Sequence, residues 1–276
     1  MGSREEQVVQ EAIHQVAQKR RKRRENTSLR ALLAFWATTT LVFLAAPWPL
    51  EGKLWAAAHG LCAQREGHLL PFGEQYLPLC ARDSGLYLGA LLGLGYLLVR
   101  RRWLAVGRPP RWFWTAFFAI VGLFAIDVAN SVGADWFHSG VYPPHNLLRT
   151  VTGTLLGASL SVPLLWAVNL SFRGRRPDRP LLANGWDVLA LFLLAAVGIA
   201  ALWSRMAPLY VPLAALSFGG MLLLLVAANF LWLLAVLRGR STLESAGEAW
   251  PLLLWASIAS VAEMALLSFL RYRLGL

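Results

Sequence analysis

Apolar runs bounded by charge, proline or glycine recur seven times along the chain. They cover about Leu29 to Leu50, Ser84 to Val99, Trp112 to Asn130, Leu147 to Leu170, Trp186 to Met206, Val211 to Leu237 and Trp250 to Leu270. Most approach the roughly 20 residues that a helix needs to cross hydrocarbon, where backbone N–H and C=O groups must be satisfied within the segment. The pattern predicts an all-α, polytopic helical membrane protein with about seven transmembrane helices. The second run carries Gly85, Gly89, Gly93 and Gly95, and the fourth carries Gly153 and Gly157. Glycine at every fourth position lets two helix backbones approach closely. Long polar segments, 51–83 and 131–146, separate the early runs, whereas the connections between the later runs are shorter.

Charge sets the expected orientation. The 276 residues carry 26 Lys+Arg against 15 Asp+Glu, a formal net charge of +11. In a soluble chain that excess would suggest a nucleic-acid partner. Here it lies in blocks beside apolar runs: Lys19, Arg20, Arg21, Lys22, Arg23 and Arg24; Arg100, Arg101, Arg102, Arg108 and Arg111; Arg173, Arg175, Arg176 and Arg179; Arg238 and Arg240. Every second boundary is basic, which excludes nucleic acid as the simplest reading. It predicts an integral protein of the cytoplasmic membrane, with a cytoplasmic N-terminus, an extracytoplasmic C-terminus and the two polar segments outside. Most of the tryptophans fall near run ends, as interfacial belts do.

The organisation expected is a basic amphipathic helix over 1–28, a four-helix half over 29–170 and a three-helix half over 181–276. Val9, Ile13, Val16 and Ala17 share a stripe on the first of these. Its basic end is expected to rest on anionic lipid headgroups or, as the sharper reading, to serve as an arm for a membrane-protein partner. No secretory signal peptide or internal repeat is evident, so an inverted-repeat transporter is not favoured.

Both cysteines lie in the first polar segment. His59 and Cys62 form H-x-x-C, and eighteen residues on Cys80 and Asp83 form C-x-x-D. Such knuckles can converge on zinc, which accepts N, S and O donors, with His68 as a spare ligand. A Cys62–Cys80 disulfide on an oxidising face is the favoured reading, and two reduced, packed cysteines are the third. Within the runs, Asp127 needs a partner or water, because an ionised carboxylate near lipid costs several kcal/mol. Arg82 and Arg149 are expected at comparable depth. With Asp83, Tyr87 and Asn130 they predict a polar cluster at the outer mouth, either a structural ion-pair network or a pocket for a planar anion. His138 and His145 are possible proton donors from the facing loop. Glu263 is expected to be protonated or to meet Asn229.

The stretch Leu77 to Gly89, L-P-L-C-A-R-D-S-G-L-Y-L-G, resembles the hallmark of the membrane family called domain of unknown function 2085. The family reads C-H-x and then P-L-C-A-R-C-x-G-x-Y-x-G, which places Cys62, Cys80, Arg82, Gly85, Tyr87 and Gly89. A later motif places Asp127, Asn146, Arg149 and Gly153, so the resemblance spans about residues 55–157. Ala63 and Asp83 stand where the family has histidine and cysteine, removing two soft ligands. The resemblance implies a membrane protein and no particular activity. No P-loop, dinucleotide fingerprint, H-E-x-x-H or G-x-S-x-G is present. Three functions remain: binding or transport of an anionic or lipid-like molecule, which is favoured; a structural subunit or assembly factor; and an enzyme acting on a lipid phosphate or isoprenoid.

Overall fold

The computed structural model describes residues 2–238 and 242–275. Arg240, part of the fourth basic block, lies outside them. The chain forms α1 (Gly2–Ala45), α2 (Leu50–Ala58), a hairpin of β1 (Leu69–Phe72) and β2 (Gln75–Cys80), α3 (Ala81–Val99), β3 (Ala105–Gly107) and α4 (Arg111–Phe137). It continues through α5 (Asn146–Leu170), β4 (Arg176–Pro180), α6 (Gly185–Ser204), α7 (Tyr210–Arg238) and α8 (Ala249–Leu274). Among the described residues six helices, all but α2 and α3, are long and apolar enough to cross a bilayer. The all-α polytopic class is therefore as expected, and the count of seven is not confirmed: α3, the second expected span, is less apolar than the other six. It has 19 residues, its first turn holds Arg82 and Asp83, and its faces are rich in glycine. A helix enclosed by other helices has little need of large apolar side chains for lipid.

That enclosure is the centre of the fold. α3 packs against α5, α6 and α7, and α5 in turn meets α4 and α6. α7 leads to α8, and α8 to α1, which touches little else. Helices from both expected halves thus pack on one another. The α3–α5 contact is the closest. A Cβ on Gly85 would fall 2.7 Å from the Thr150 carbonyl oxygen, and one on Gly157 would fall 2.8 Å from the Ala90 nitrogen and against the Leu86 oxygen. The two glycine registers face each other, and only hydrogen fits between the backbones.

At the N-terminus, a basic helix followed by a separate span was expected, whereas α1 is continuous over 44 residues, about 66 Å at 1.5 Å per residue. The Asn26-Thr27-Ser28 stretch does not break it, since the Thr27 hydroxyl donates back to the Arg23 carbonyl at 2.8 Å, a local bond compatible with helix. Leu33, Leu41, Val42 and Leu44 on α1 are more than half exposed. Such a surface suits lipid and would be costly in water. The first span ends at Ala45, before Pro47 and Pro49, which have no N–H to donate.

Connections alternate between two ends of the bundle. At one end β3 and β4 pair in parallel, Phe172 bridges Leu243, and Arg21 of α1 reaches Glu244 at 2.9 Å and Glu248 at 3.0 Å. At the other end α2, the hairpin and the 138–145 loop gather, and Gly60 donates to Ser268 Oγ of α8 at 2.9 Å. The arginine blocks lie at the first end, and the cysteines at the second.

Gly157→Ala should lower the thermal midpoint in detergent by many degrees, because neither backbone can yield without separating α3 from α5. Gly95→Ala is the control, since a Cβ there meets nothing within 4 Å. It should leave the midpoint unchanged or raise it, because alanine favours helix over glycine by about 1 kcal/mol. Equal losses in the two variants would refute the close-contact account.

Candidate functional site

The hairpin exists to deliver Cys80 to the start of α3. Leu70, Phe72, Leu77 and Leu79 from its strands are buried, and Cys80 is the N-cap of the helix. Its sulfur accepts the Asp83 N–H at 3.5 Å, while the Cys62 sulfur accepts the Cys80 N–H at 3.1 Å. Donor atoms of Cys62, Cys80 and Asp83 lie within 4.8 Å of one another. The two cysteines meet as expected, but both are free thiols, so the disulfide preferred from sequence is not formed. The hydrogen bond with the neighbouring Cys62 thiol, and then burial, hold the Cys80 thiol well above its usual range. Tyr87, one turn on, packs against this pair.

His59 does not join them. Its Nδ1 lies 2.9 Å from Gln64 Oε1, and its ring stacks on Tyr272 at 4.2 Å. The α2 end that carries it is held instead by Arg271, which donates to the carbonyls of His59 and Cys62. The H-x-x-C spacing put His59 and Cys62 on one turn in sequence, but the turn after Ala58 sends them in different directions.

Asp127 is 1% exposed and is fully engaged. Arg82 donates to its Oδ2 through Nε at 3.1 Å and Nη2 at 2.7 Å, and the same Nη2 reaches the Asp127 carbonyl and Ser131 Oγ. Tyr142 donates to Asp127 Oδ1 at 3.2 Å. Asn130 holds that loop, accepting the Val141 N–H at 2.7 Å and donating to the Tyr142 carbonyl at 2.9 Å. The expected meeting of the second, third and fourth spans is thus present, with Arg82 rather than Arg149 as the direct partner.

Arg149, 3% exposed, turns to the hairpin side. It donates to Asn146 Oδ1 at 2.8 Å, to the Gly67 carbonyl and to Ser131 Oγ, and faces His68 Nε2 at 2.9 Å. Guanidinium is only a donor, so a neutral His68 meets it through a lone pair on Nε2, the atom that also lies beside Asp135. Burial first, and Arg149 second, hold the His68 imidazole below its ordinary pKa despite Asp135 at 3.1 Å. His68 is therefore a partner of Arg149 and no spare thiol-site ligand. His145 is exposed and caps α5, accepting the Leu147 N–H at 3.1 Å. The proton-donor role expected of it has no support in this position.

Other engaged groups were missed. Asp187, 1% exposed at the opposite end, accepts from Tyr96 Oη at 2.6 Å, the Ala183 N–H at 2.6 Å and Arg102 at 3.1 Å, with Arg100 at 3.4 Å. Its signal was readable: Asn184-Gly-Trp-Asp187 has capping-box spacing, and Asn184 Oδ1 does accept the Asp187 N–H. Lys53 was missed too, although a lysine directly before the apolar L-W-A-A-A run of α2 flags itself. Glu263, by contrast, meets Asn229 at 2.9 Å as expected.

These features define a polytopic α-helical membrane protein whose central helix is pinned by buried ion pairs near its two ends. Residues 62–162 match the model of the family described as predicted membrane protein DUF2085. The matched segment runs from Cys62 into α5 and contains the thiol pair, Arg82, Asp127 and Arg149. No characterised protein and no solved structure matches the chain.

Two outcomes test this site. Asp127→Asn leaves Arg82 buried without its counter-charge, a loss of about 3 kcal/mol or more, and should lower the thermal midpoint well beyond Glu263→Gln. Comparable midpoints would show the ion pair to be dispensable. His68 adds a pH dependence. Because its folded pKa lies below the unfolded value, its contribution is present above the unfolded pKa and is lost as pH falls through it toward the folded value. The loss of midpoint on acidification below the ordinary imidazole range should be smaller in His68→Gln; an identical slope in both proteins would show that His68 does not titrate with unfolding.

Proposed function

We propose that the protein binds an anionic, lipid-like molecule drawn from the bilayer, in a groove between α1, α7 and α8. Two cavities of about 400 and 450 Å³ share Trp36 and Leu222 and run along the side on which α1 stands off from the bundle. The volumes suit an acyl or prenyl chain. Their walls are apolar, with Phe43, Phe218 and Met264 in the first and Val226, Phe230 and Trp250 in the second.

The observation that carries the reading is Lys53. It lines the first cavity, is 8% exposed, and among the described residues has no carboxylate within ion-pairing distance. Its ammonium donates to the Leu44 carbonyl at 2.7 Å at the C-terminal end of α1, which uses one of three donors. A buried ammonium without a counter-charge is costly, and an anionic headgroup would offset that cost. The arginine mouth expected from sequence is less suited, because Arg82 and Arg149 are committed to protein partners. In this reading the N-terminus is cytoplasmic, in the cytoplasmic membrane, so Lys53 serves the outer leaflet. The basic run 19–24 then lies at the inner headgroups, where Arg21 also meets the 244–248 loop.

The test is lipid add-back to delipidated protein, read by native mass spectrometry with phosphatidylglycerol and phosphatidylcholine of the same chains. The anionic lipid should bind about 5- to 10-fold more tightly, on the order of 1 kcal/mol. Lys53→Ala should reduce that preference to none. Equal binding of both lipids by the unmodified protein, or a preference that survives in Lys53→Ala, would overturn the proposal.

A further inference from the structure

We infer that Cys62, Cys80 and Asp83 form a zinc site with one coordination position left open, a second site independent of the lipid reading. Two pieces of chain bring the donors together: the turn after α2, which carries Cys62, and the junction of β2 with α3, which carries Cys80 and Asp83. Tetrahedral zinc with bonds of about 2.3 Å to sulfur and 2.0 Å to oxygen holds its donors roughly 3.3 to 3.8 Å apart. All three donor atoms here already lie within 4.8 Å of one another. Small side-chain rotations close that gap.

Backbone donors reach both sulfurs. The two backbone N–H groups that meet the sulfurs, those of Cys80 and Asp83, favour the charged form. Cys62 is 2% and Cys80 9% exposed, so bulk oxidants have little access. Arg271 donates to the carbonyls of His59 and Cys62, fixing the turn that presents the Cys62 sulfur, and adds positive charge beside a ligand set of three negative charges. Metal binding releases the two thiol protons and forms two Zn–S bonds and one Zn–O bond, with no change of oxidation state. A soft pair of sulfurs with one carboxylate favours zinc over magnesium or calcium. Three protein ligands leave a fourth position for water or a substrate atom, as in zinc sites that act rather than only hold structure.

This assignment differs from the H-x-x-C/C-x-x-D reading in a way that can be measured. His59 lies outside the group of mutually close donor atoms, with its Nδ1 held by Gln64 and its ring stacked on Tyr272. Full-length protein, purified in reductant and stripped of metal, is titrated with zinc and with cobalt. One equivalent of zinc per chain and a thiolate-to-cobalt charge-transfer band are expected. Cys62→Ser and Cys80→Ser should each abolish the band, and Asp83→Asn should weaken cobalt binding at least tenfold. His59→Ala should keep both the stoichiometry and the band. The unmodified protein supplies the deciding result if a cysteine variant fails to fold. No bound metal, a band that survives in Cys80→Ser, or its loss in His59→Ala would overturn the site. So would a Cys62–Cys80 disulfide in protein alkylated directly in its membranes.

Discussion

The backbone contact between α3 and α5 is the constraint on which the rest depends. Gly85, Gly89 and Gly93 on one helix and Gly153 and Gly157 on the other let backbone approach backbone along the seam, with the small side chains of Thr154 and Ser161 beside the contact. In a bilayer there is little hydrophobic drive between helices, so close packing of this kind supplies much of their cohesion. It also fixes the register of everything at the hairpin end. Arg82 follows the N-cap of α3, with its carbonyl against Gly153, so its side chain is aimed at Asp127 of α4. Arg149, four residues before Gly153, is aimed at the hairpin. A slip of one turn along the seam would unpair both guanidinium groups at once.

Buried charge then acts as a specification rather than a source of stability. An ion pair taken out of water is seldom better than a well-packed apolar pair, yet breaking one is strongly unfavourable. Arg82–Asp127 and the Arg100–Arg102–Asp187 group lie at opposite ends of α3, each tying it to a different helix. Asp127 ties it to α4, and Asp187 ties the loop after it to α6. Together they penalise sliding or rotation of the central helix, while α5 supplies the contact area.

The sequence was most legible where one physical rule dominated. Apolar length located the spans, and glycine spacing identified the two helices that touch. The cost of a lone carboxylate placed Asp127 beside an arginine. Legibility failed where the answer depended on how a turn is folded. Nothing in H-G-L-C shows that His59 turns back to Gln64, and nothing in the cysteine spacing separates a bond from two adjacent thiols. α3 is less apolar than the other six for the same reason that it is central: residues that face protein need not resemble residues that face lipid. Lys53 lies in a segment that reads as polar, and the apolar run that follows it is the signal that its ammonium is buried.

The groove and the thiol cluster share a wall. Met264 of α8 lines the cavity that holds Lys53 and also packs in the buried cluster with Cys62 and Cys80. α2 joins them by chain as well, with Lys53 on the helix and Cys62 in the turn beyond it. By contrast, α1 touches little but α8, and beyond that it meets the bundle through few groups, including Trp36 donating to Ser257 at 3.2 Å and Phe43 stacked on Phe218. α1 therefore meets the bundle chiefly through α8, whereas moving α2 would disturb Arg271, the cysteines and the start of α3 together. The α2 wall carries the ammonium and, behind it, the thiols, so the geometry of both proposed sites would be set by the glycine seam and not by α1, past which the proposed lipid would enter.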